Sequence, residues 1–477
     1  MARISDDIFF AGILEINAKL KAREFSCVEL THAFCDRLES LGPRYNALAL
    51  SLREQAVRDA HDVDKDLKIQ RYRGPLQGVP FAVKDLLTAA NQITTWGATP
   101  YVAQVFDYDA AAIARLRRTG AILIGKLSMV ELAGGPSYNS CAASHFGPGL
   151  NPWDTSRWSG GSSSGSGSAV AAGLVPFALG SETSGSILTP SAFCGITGLR
   201  PTFGLVSRYG AMPLSWTLDK IGPMARSAED CGLVLRVIAG GDSNDASSSG
   251  KSFYYSPEWV RPMKDVKVGY APVDFEGWAQ PAARDSFRQA LDAFKSLGAE
   301  MVEKQLPGLP YGAVISTVIS AEAASVFEPL IRSGKVDLLS DKEQIARLKA
   351  ALDIPARDYL KAMRVRRVIQ QALRDLMSEV DVLLTPARYS IAPKVSEPLD
   401  KSLVVDESQP PKSDGMRFHI PAGNLAGYPA LSLPCGFSDK MPIALSIMSR
   451  PFDENLLLGL GNAFQKTTDW HTKRPPA

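Results

Sequence analysis

The residues best suited to chemistry lie in one stretch, Ser159 to Pro190, which reads SGGSSSGSGSAVAAGLVPFALGSETSGSILTP. Every residue from Ser159 to Ser168 is serine or glycine, and a second Gly/Ser turn ends in Ser186. Such a density of hydroxyls and bare backbone suits either a flexible linker or a loop that closes tightly on something. The run sits between apolar segments and passes into AVAAGLVPFALG without a charge, surroundings a linker does not need. Lys84 is a second candidate. It ends a short apolar run, Val79 to Val83. A lysine there is either a snorkelling surface residue or one held in an apolar pocket, its pKa lowered enough to accept a proton.

Other chemistries fit less well. The phosphate-loop pattern G-x-x-x-x-G-K-[ST] is absent, and no G-x-G-x-x-G opens a helix with an acidic residue at the right offset. The glycines could still form an anion-binding nest. Gly161-Ser162-Ser163-Ser164-Gly165 spells the G-x-S-x-G nucleophile elbow, but five letters match cheaply in a Ser/Gly run. The five histidines are far apart, without H-E-x-x-H spacing, so neither a metal nor any cofactor is expected.

The elements that must position these residues can be read in order. Residues 6–60 read as a helical layer, in which Ser26 caps a helix with Glu29 as its capping-box partner. From Gly74 the character changes, and Val79 to Val83 is a strand. Asp109 reads as the cap of a helix that Gly120 ends, and AILIG is a buried strand. This alternation favours an α/β fold. After the Ser/Gly stretch, Ser227 caps another helix and 242–263 form an exposed excursion. VKVGYAP is a strand, 313–382 are strongly helical, VDVLLTP is a buried strand, and 398–416 are the most disorder-prone loop. Two strands, PALSLPCGF and IALSIMSR, and a last helix return to the core. The expected division is 1–73 as an N-terminal helical layer, 74–241 as the catalytic core, 242–417 as a peripheral strand-helix and helical insertion, and 418–477 as the returning C-terminal piece.

The bulk composition narrows the function. The chain has 477 residues, 45% hydrophobic and 21% charged, with 52 basic against 50 acidic side chains. That balance argues against nucleic acid as the main direct partner. Six cysteines without C-x-x-C spacing read as reduced, buried residues of a cytoplasmic protein. No apolar run reaches membrane-spanning length, because Lys126 interrupts the best one, and no signal peptide is evident.

The order of motifs strongly resembles the amidase signature family, serine hydrolases with a Ser-Ser-Lys triad. The resemblance is carried by G-V-P-F-A-V-K-D at Gly78–Asp85, G-G-S-S-S-G-S at Gly160–Ser166 and G-S-E-T-S-G-S-I at Gly180–Ile187. F-C-G-I-T-G-L-R-P-T at Phe193–Thr202, D-K-I-G-P at Asp219–Pro223 and R-P-F-D-E at Arg450–Glu454 extend it over nearly the whole chain. It implies a mixed β-sheet core flanked by helices on both sides. It implies Ser186 as nucleophile, Ser162 as bridging serine on a cis peptide bond, and Lys84 as base. The N–H groups of Thr183, Ser184, Gly185 and Ser186 would surround the oxyanion, and Ser163 would support the lysine. A serine hydroxyl needs such a base, and a lysine free in water, with a pKa of about 10.4, is the wrong one until burial neutralises it. Asp85 must then point away from Lys84.

The family pattern is commonly G-[ST]-D-x-G-G-S-I-R; here Glu182, Ser184 and Leu188 depart from it. Glu182 therefore needs a partner other than the usual arginine, or contacts solvent. The resemblance implies hydrolysis of linear carboxylic amides. The departures favour a free-standing amidase for aryl or apolar acyl amides, with ester or carbamate side activity, over the glutaminase-type A subunit of a tRNA-dependent amidotransferase or a non-catalytic scaffold. Such an enzyme would bind a small-molecule amide, with no direct nucleic-acid or membrane contact, as a monomer or homodimer. Met129, Gly134, Gly135, Tyr138, Phe193 and Trp216 are the expected substrate-binding residues.

Overall fold

The computed structural model describes residues 4–256, 262–401, 411 and 413–476. Parts of the expected excursion at 242–263 and of the loop at 398–416 thus lie outside the described residues. The chain builds one mixed eleven-stranded sheet with helices packed on it, and a separate two-stranded ribbon. In chain order the strands are β1 (Leu48–Ser51), β2 (Pro80–Lys84), β3 (Ile122–Leu127), the ribbon β4 (Leu150–Asn151) and β5 (Asp154–Trp158), β6 (Phe177–Glu182), β7 (Thr197–Arg200) and β8 (Lys220–Ala225). They continue as β9 (Lys267–Tyr270), β10 (Glu300–Glu303), β11 (Val382–Pro386), β12 (Ala430–Ser438) and β13 (Met441–Ser449). The sheet order is β1-β3-β2-β6-β8-β7-β12-β13-β11-β9-β10. This is the α/β architecture that the helix–strand alternation favoured, with the mixed core sheet that the family resemblance implied.

The strands that matter for the site are short, apolar and wholly buried. β2, β3, β6 and β8 have no exposed residue, as strands covered on both faces require. β2 runs parallel to both β3 and β6, with Phe81 opposite Phe177 and Val83 opposite Leu179. The Phe81 and Phe177 rings stack 5.3 Å apart across this pair. Parallel neighbours end at the same edge of a sheet. Lys84 and the Ser181–Glu182 end of β6 therefore emerge side by side, where chains of this class gather their ligands.

The Ser/Gly run is not a linker. Its second half is the helix Ser164–Ala171, buried along its whole length. Glycine lets that helix lie directly on backbone: a Cβ on Gly165 would stand 2.6 Å from the Ala47 carbonyl oxygen. The serines satisfy themselves locally, Ser166 Oγ donating to the Leu179 carbonyl at 3.3 Å and Ser168 Oγ to the Leu150 carbonyl at 2.7 Å.

Several local expectations hold. Ser26 and Glu29 form a capping box on the helix Cys27–Leu41, and Ser227 accepts from the Asp230 N–H at the start of the helix Ala228–Ile238. Others need correction. The N-terminal layer is interrupted by β1, which pairs antiparallel with β3 at the sheet edge. LALS is too short to show a period against the long helices around it. Asp109 does not cap the helix Ala111–Arg118; its carboxylate instead accepts from the Ala90 N–H and pairs with Arg117. The segment 242–417, expected as peripheral, contributes β9, β10 and β11 to the main sheet, and 1–73 contributes β1. All six cysteines are buried and free. Among the described residues no helix is long and apolar enough to cross a membrane, and no group of three or more His, Cys, Asp or Glu is gathered for a metal ion.

Candidate active site

Lys84 leaves β2 fully buried, and its Nζ donates to Ser162 Oγ at 2.6 Å and to Ser181 Oγ at 3.0 Å. No carboxylate among the described residues pairs with it directly. Burial, opposed by the Asp219 and Glu182 charges nearby, brings the Lys84 ammonium down to about 7. Asp85, one residue on, belongs to another interaction. Its carboxylate pairs with Lys126 at 2.7 Å, both side chains buried, and accepts from the Thr95 N–H at 3.0 Å. Successive residues of an extended chain face opposite sides of the sheet, so one strand end carries a lysine without a counter-ion and an aspartate that has one.

Ser162 stands behind Gly161 in a cis peptide bond. Its carbonyl accepts from the Val130 N–H at 3.1 Å, and the Ser163 N–H donates to the Ser186 carbonyl at 3.3 Å. Ser162 is thereby tied, through its neighbour, to the turn that carries Ser186. Among the described residues the two hydroxyls of Ser162 and Ser186 do not bond to each other; catalytic contacts of this kind commonly tighten only when substrate is bound. Ser163 does not reach the lysine. Its Oγ donates to the Ser181 carbonyl at 3.2 Å and accepts from the Ser181 N–H at 3.3 Å. The second hydroxyl on Lys84 is that of Ser181, which sequence reasoning missed. The signal was there: Ser181 lies two residues beyond the partner of Val83 in a parallel neighbour of β2.

The turn 183–186 follows β6. Gly185 has φ of +89°, a conformation that favours glycine. Outside regular helices and strands, the N–H groups of Thr183, Ser184, Gly185 and Ser186 serve no described backbone carbonyl. Thr183 is pinned from the side, its Oγ1 donating to Asp219 Oδ1 at 2.6 Å. Ser186 is 8% exposed and, with Thr183 and Ser184, opens on a cavity of about 290 Å³.

The departures from the common motif have a structural answer. Glu182 is wholly buried and meets Arg200 Nη1 at 3.0 Å. Its oxygens also accept from Asn424 Nδ2 at 2.9 Å and from the N–H groups of Ile187 and Leu188 at 2.9 and 3.0 Å. Burial alone would raise this carboxyl, but Arg200 and Lys220 overcome it and hold Glu182 down to about 2. The longer acid thus finds in Arg200 the charge that Leu188 does not supply. Glu182→Gln keeps the shape and leaves the buried Arg200 guanidinium without its counter-charge, so we expect a loss of about 3–5 kcal/mol in denaturant unfolding at pH 7. A carboxyl whose folded pKa is depressed stabilises above its unfolded value. The contribution is therefore lost as pH falls from about 4.5 towards 2, and the variant and the parent converge there. Equal stability at pH 7 would show that the pair contributes nothing.

Of the expected substrate contacts, Gly134, Gly135, Tyr138 and Phe193 line the cavity on which Ser186 opens. Met129 does not; it is wholly buried behind Gly97. Trp216 lies on a neighbouring cavity with Arg208 and Asp219, 40% exposed. Leu214, from the 209–216 segment, and Ile319, from the 311–360 helices, line the same cavity as the sequence led one to expect, whereas Arg388 was not foreseen.

The amidase family model matches residues 29–458. The chain is 37% identical to the A subunit of the glutamyl-tRNA(Gln) amidotransferase of Legionella pneumophila, covering 97% of this chain and 98% of that one. Among solved structures it resembles a protein described as part of an unexpected vestigial complex that reveals the evolutionary origins of an s-triazine catabolic enzyme. That likeness has TM-score 0.87 and 29% identity over 98% of this chain and 100% of the other. It also resembles the A subunit of the glutamyl-tRNA(Gln) amidotransferase of Thermotoga maritima, with TM-score 0.77 and 27% identity over 98% of this chain and 96% of the other. These likenesses overturn three expectations: the free-standing amidase, the aryl or apolar acyl substrate, and the small-molecule-only partner list of a monomer or homodimer. The departures at Glu182, Ser184 and Leu188 were too few to outweigh likeness along the whole chain, and Arg200 shows that Glu182 and Leu188 are compensated within the same scaffold. The chain is an amidohydrolase-type enzyme and belongs to the amidase family.

Proposed function

We propose that this chain releases ammonia from the side-chain carboxamide of glutamine, as the hydrolytic component of an assembly that passes the ammonia to a glutamyl-tRNA-type acceptor. The observation that carries the reading is the 37% identity, over 97% of the chain, to the A subunit of such an amidotransferase. The geometry supports the chemistry. Lys84, half neutral near pH 7, takes a proton from Ser162 while Ser162 takes one from Ser186. The Ser186 oxygen attacks the carboxamide carbon, and the free N–H groups of the 183–186 turn face the developing oxyanion. Collapse expels ammonia, which leaves with a proton returned through Ser162, and the Ser186 acyl ester is then hydrolysed by water. The four expected segments become one working unit in this reading, since strands from each of them share the sheet that carries the site.

The test is ammonia release from glutamine by the purified chain, alone and after co-expression with its native genomic neighbours. The expected result is glutamine-dependent ammonia, raised when partner proteins co-purify. Turnover of other carboxamides with none of glutamine, and no co-purifying partner, would contradict it.

A further inference from the structure

Arg388 follows β11 and lines the cavity on which Ser186 opens. It is the one charged side chain among the described residues of that lining; the rest are glycines, aliphatic or aromatic groups, prolines and hydroxyls. The guanidinium lies 5.8 Å from the Phe193 ring centroid, which fixes its direction beside Tyr138 and Trp158. Among the described residues it forms no ion pair, and its Nε is buried without a hydrogen-bond partner. The cations around it differ. Arg200 has Glu182 at 3.0 Å, and Arg417, on the adjoining cavity that Arg388 also lines, has Asp414 at 2.7 Å. A guanidinium whose Nε is buried without a partner is unfavourable until an anion meets it. The planar fork suits a carboxylate, which it can hold through two parallel bonds. Among the described residues no acidic side chain lines the cavity, so an ammonium on the substrate finds no counter-charge there.

We propose that Arg388 determines specificity by binding a carboxylate of the amide substrate, so that the site prefers monoanionic carboxamides to neutral ones. The inference rests on the amide-hydrolysis reading but not on glutamine being the amide. In glutamine the α-carboxylate would occupy this place; an amide with a carboxylate and no ammonium fits the wall at least as well.

Three substrates of one chain length separate these statements: glutamine, glutaramate (glutamine without its amino group) and pentanamide. With the full chain, we expect kcat/KM for glutaramate to exceed that for pentanamide by about 30- to 100-fold, the range for one charged hydrogen-bonded contact. Arg388→Met should collapse that ratio towards one, mainly through KM, and Arg388→Lys should keep part of it. An unchanged ratio in Arg388→Met, or a wild-type preference for pentanamide, would overturn the inference while leaving amide hydrolysis intact. Turnover of glutaramate but not glutamine would instead overturn the glutamine reading and leave the role of Arg388 standing. Should turnover be below detection, calorimetric titration of the Ser186→Ala protein with glutaramate and pentanamide reads the same preference. Equal binding of the two, or none, also overturns it.

Discussion

Ser186→Ala is expected to lower amide turnover by on the order of 10⁴-fold or more while the protein folds and melts as the parent does. Ser186 lines the cavity, next to Gly185 and its positive φ, and the hydroxyl is the part of its side chain that the proposed chemistry uses. The backbone of the turn is held elsewhere, by the Ser163 N–H on the Ser186 carbonyl and by Glu182 on the N–H groups of Ile187 and Leu188. Removing one oxygen therefore leaves the N–H groups of the turn and the cavity in place. The residual rate reports what the donors achieve without a nucleophile. Steady-state ammonia release from the purified variant, with its thermal melt, checks both halves. A variant within tenfold of the parent would remove Ser186 from the mechanism.

Lys84→Met is expected to cost about 10³- to 10⁴-fold in kcat, the range for loss of a positioned base, and to leave stability equal or higher. The second half follows from burial. Lys84 has no carboxylate partner among the described residues, and bringing its ammonium from the usual value to about 7 corresponds to roughly 5 kcal/mol of penalty on the charged form. A methionine of similar length removes that penalty and fills the same space, leaving only two serine hydroxyls to re-pair. The parent enzyme carries the matching pH signature. If Lys84 is the base, its neutral form is the active one, and kcat/KM should rise with pH through about 7 and level above it. This limb should be absent from the residual rate of Lys84→Met. A profile flat from pH 5 to 9 in the parent would mean that the lysine does not titrate in the step measured.

Much of this site could be read from the chain, and the reasons differ residue by residue. Lys84 at the end of an apolar strand and the Ser/Gly stretches that hold Ser162 and Ser186 stood out locally, while the roles proposed for them came from the family resemblance. Ser26 and Ser227 could be placed as caps because a cap is a matter of three residues. What could not be read depends on pairing across distance. Asp85 sits awkwardly beside Lys84 until its partner proves to be Lys126, on the next strand but far along the chain. Glu182 lacks a partner until Arg200 is brought to it through β8 and β7. Ser181 displaces Ser163 as the second hydroxyl on the lysine because register, not composition, decides which side chain points into the site. Arg388 gives no sign at all, since nothing in VDVLLTPARY says that the segment ends above a cavity built by 133–138 and 183–193. The substrate expectation went wrong for a related reason. Three unusual residues near the nucleophile were given more weight than the likeness spread along the whole sequence.

The central claim is that Ser186, driven by Lys84 through Ser162, carries the acyl group. The most direct measurement is intact-mass and peptide-mapping analysis of the protein after treatment with a fluorophosphonate, which reports an activated serine whatever the natural substrate. The account predicts one adduct, mapped to Ser186, absent in Ser186→Ala and strongly slowed in Lys84→Met. An adduct on Ser162, Ser163 or any other residue, or an unmodified Ser186 in protein that turns over amide, would contradict it.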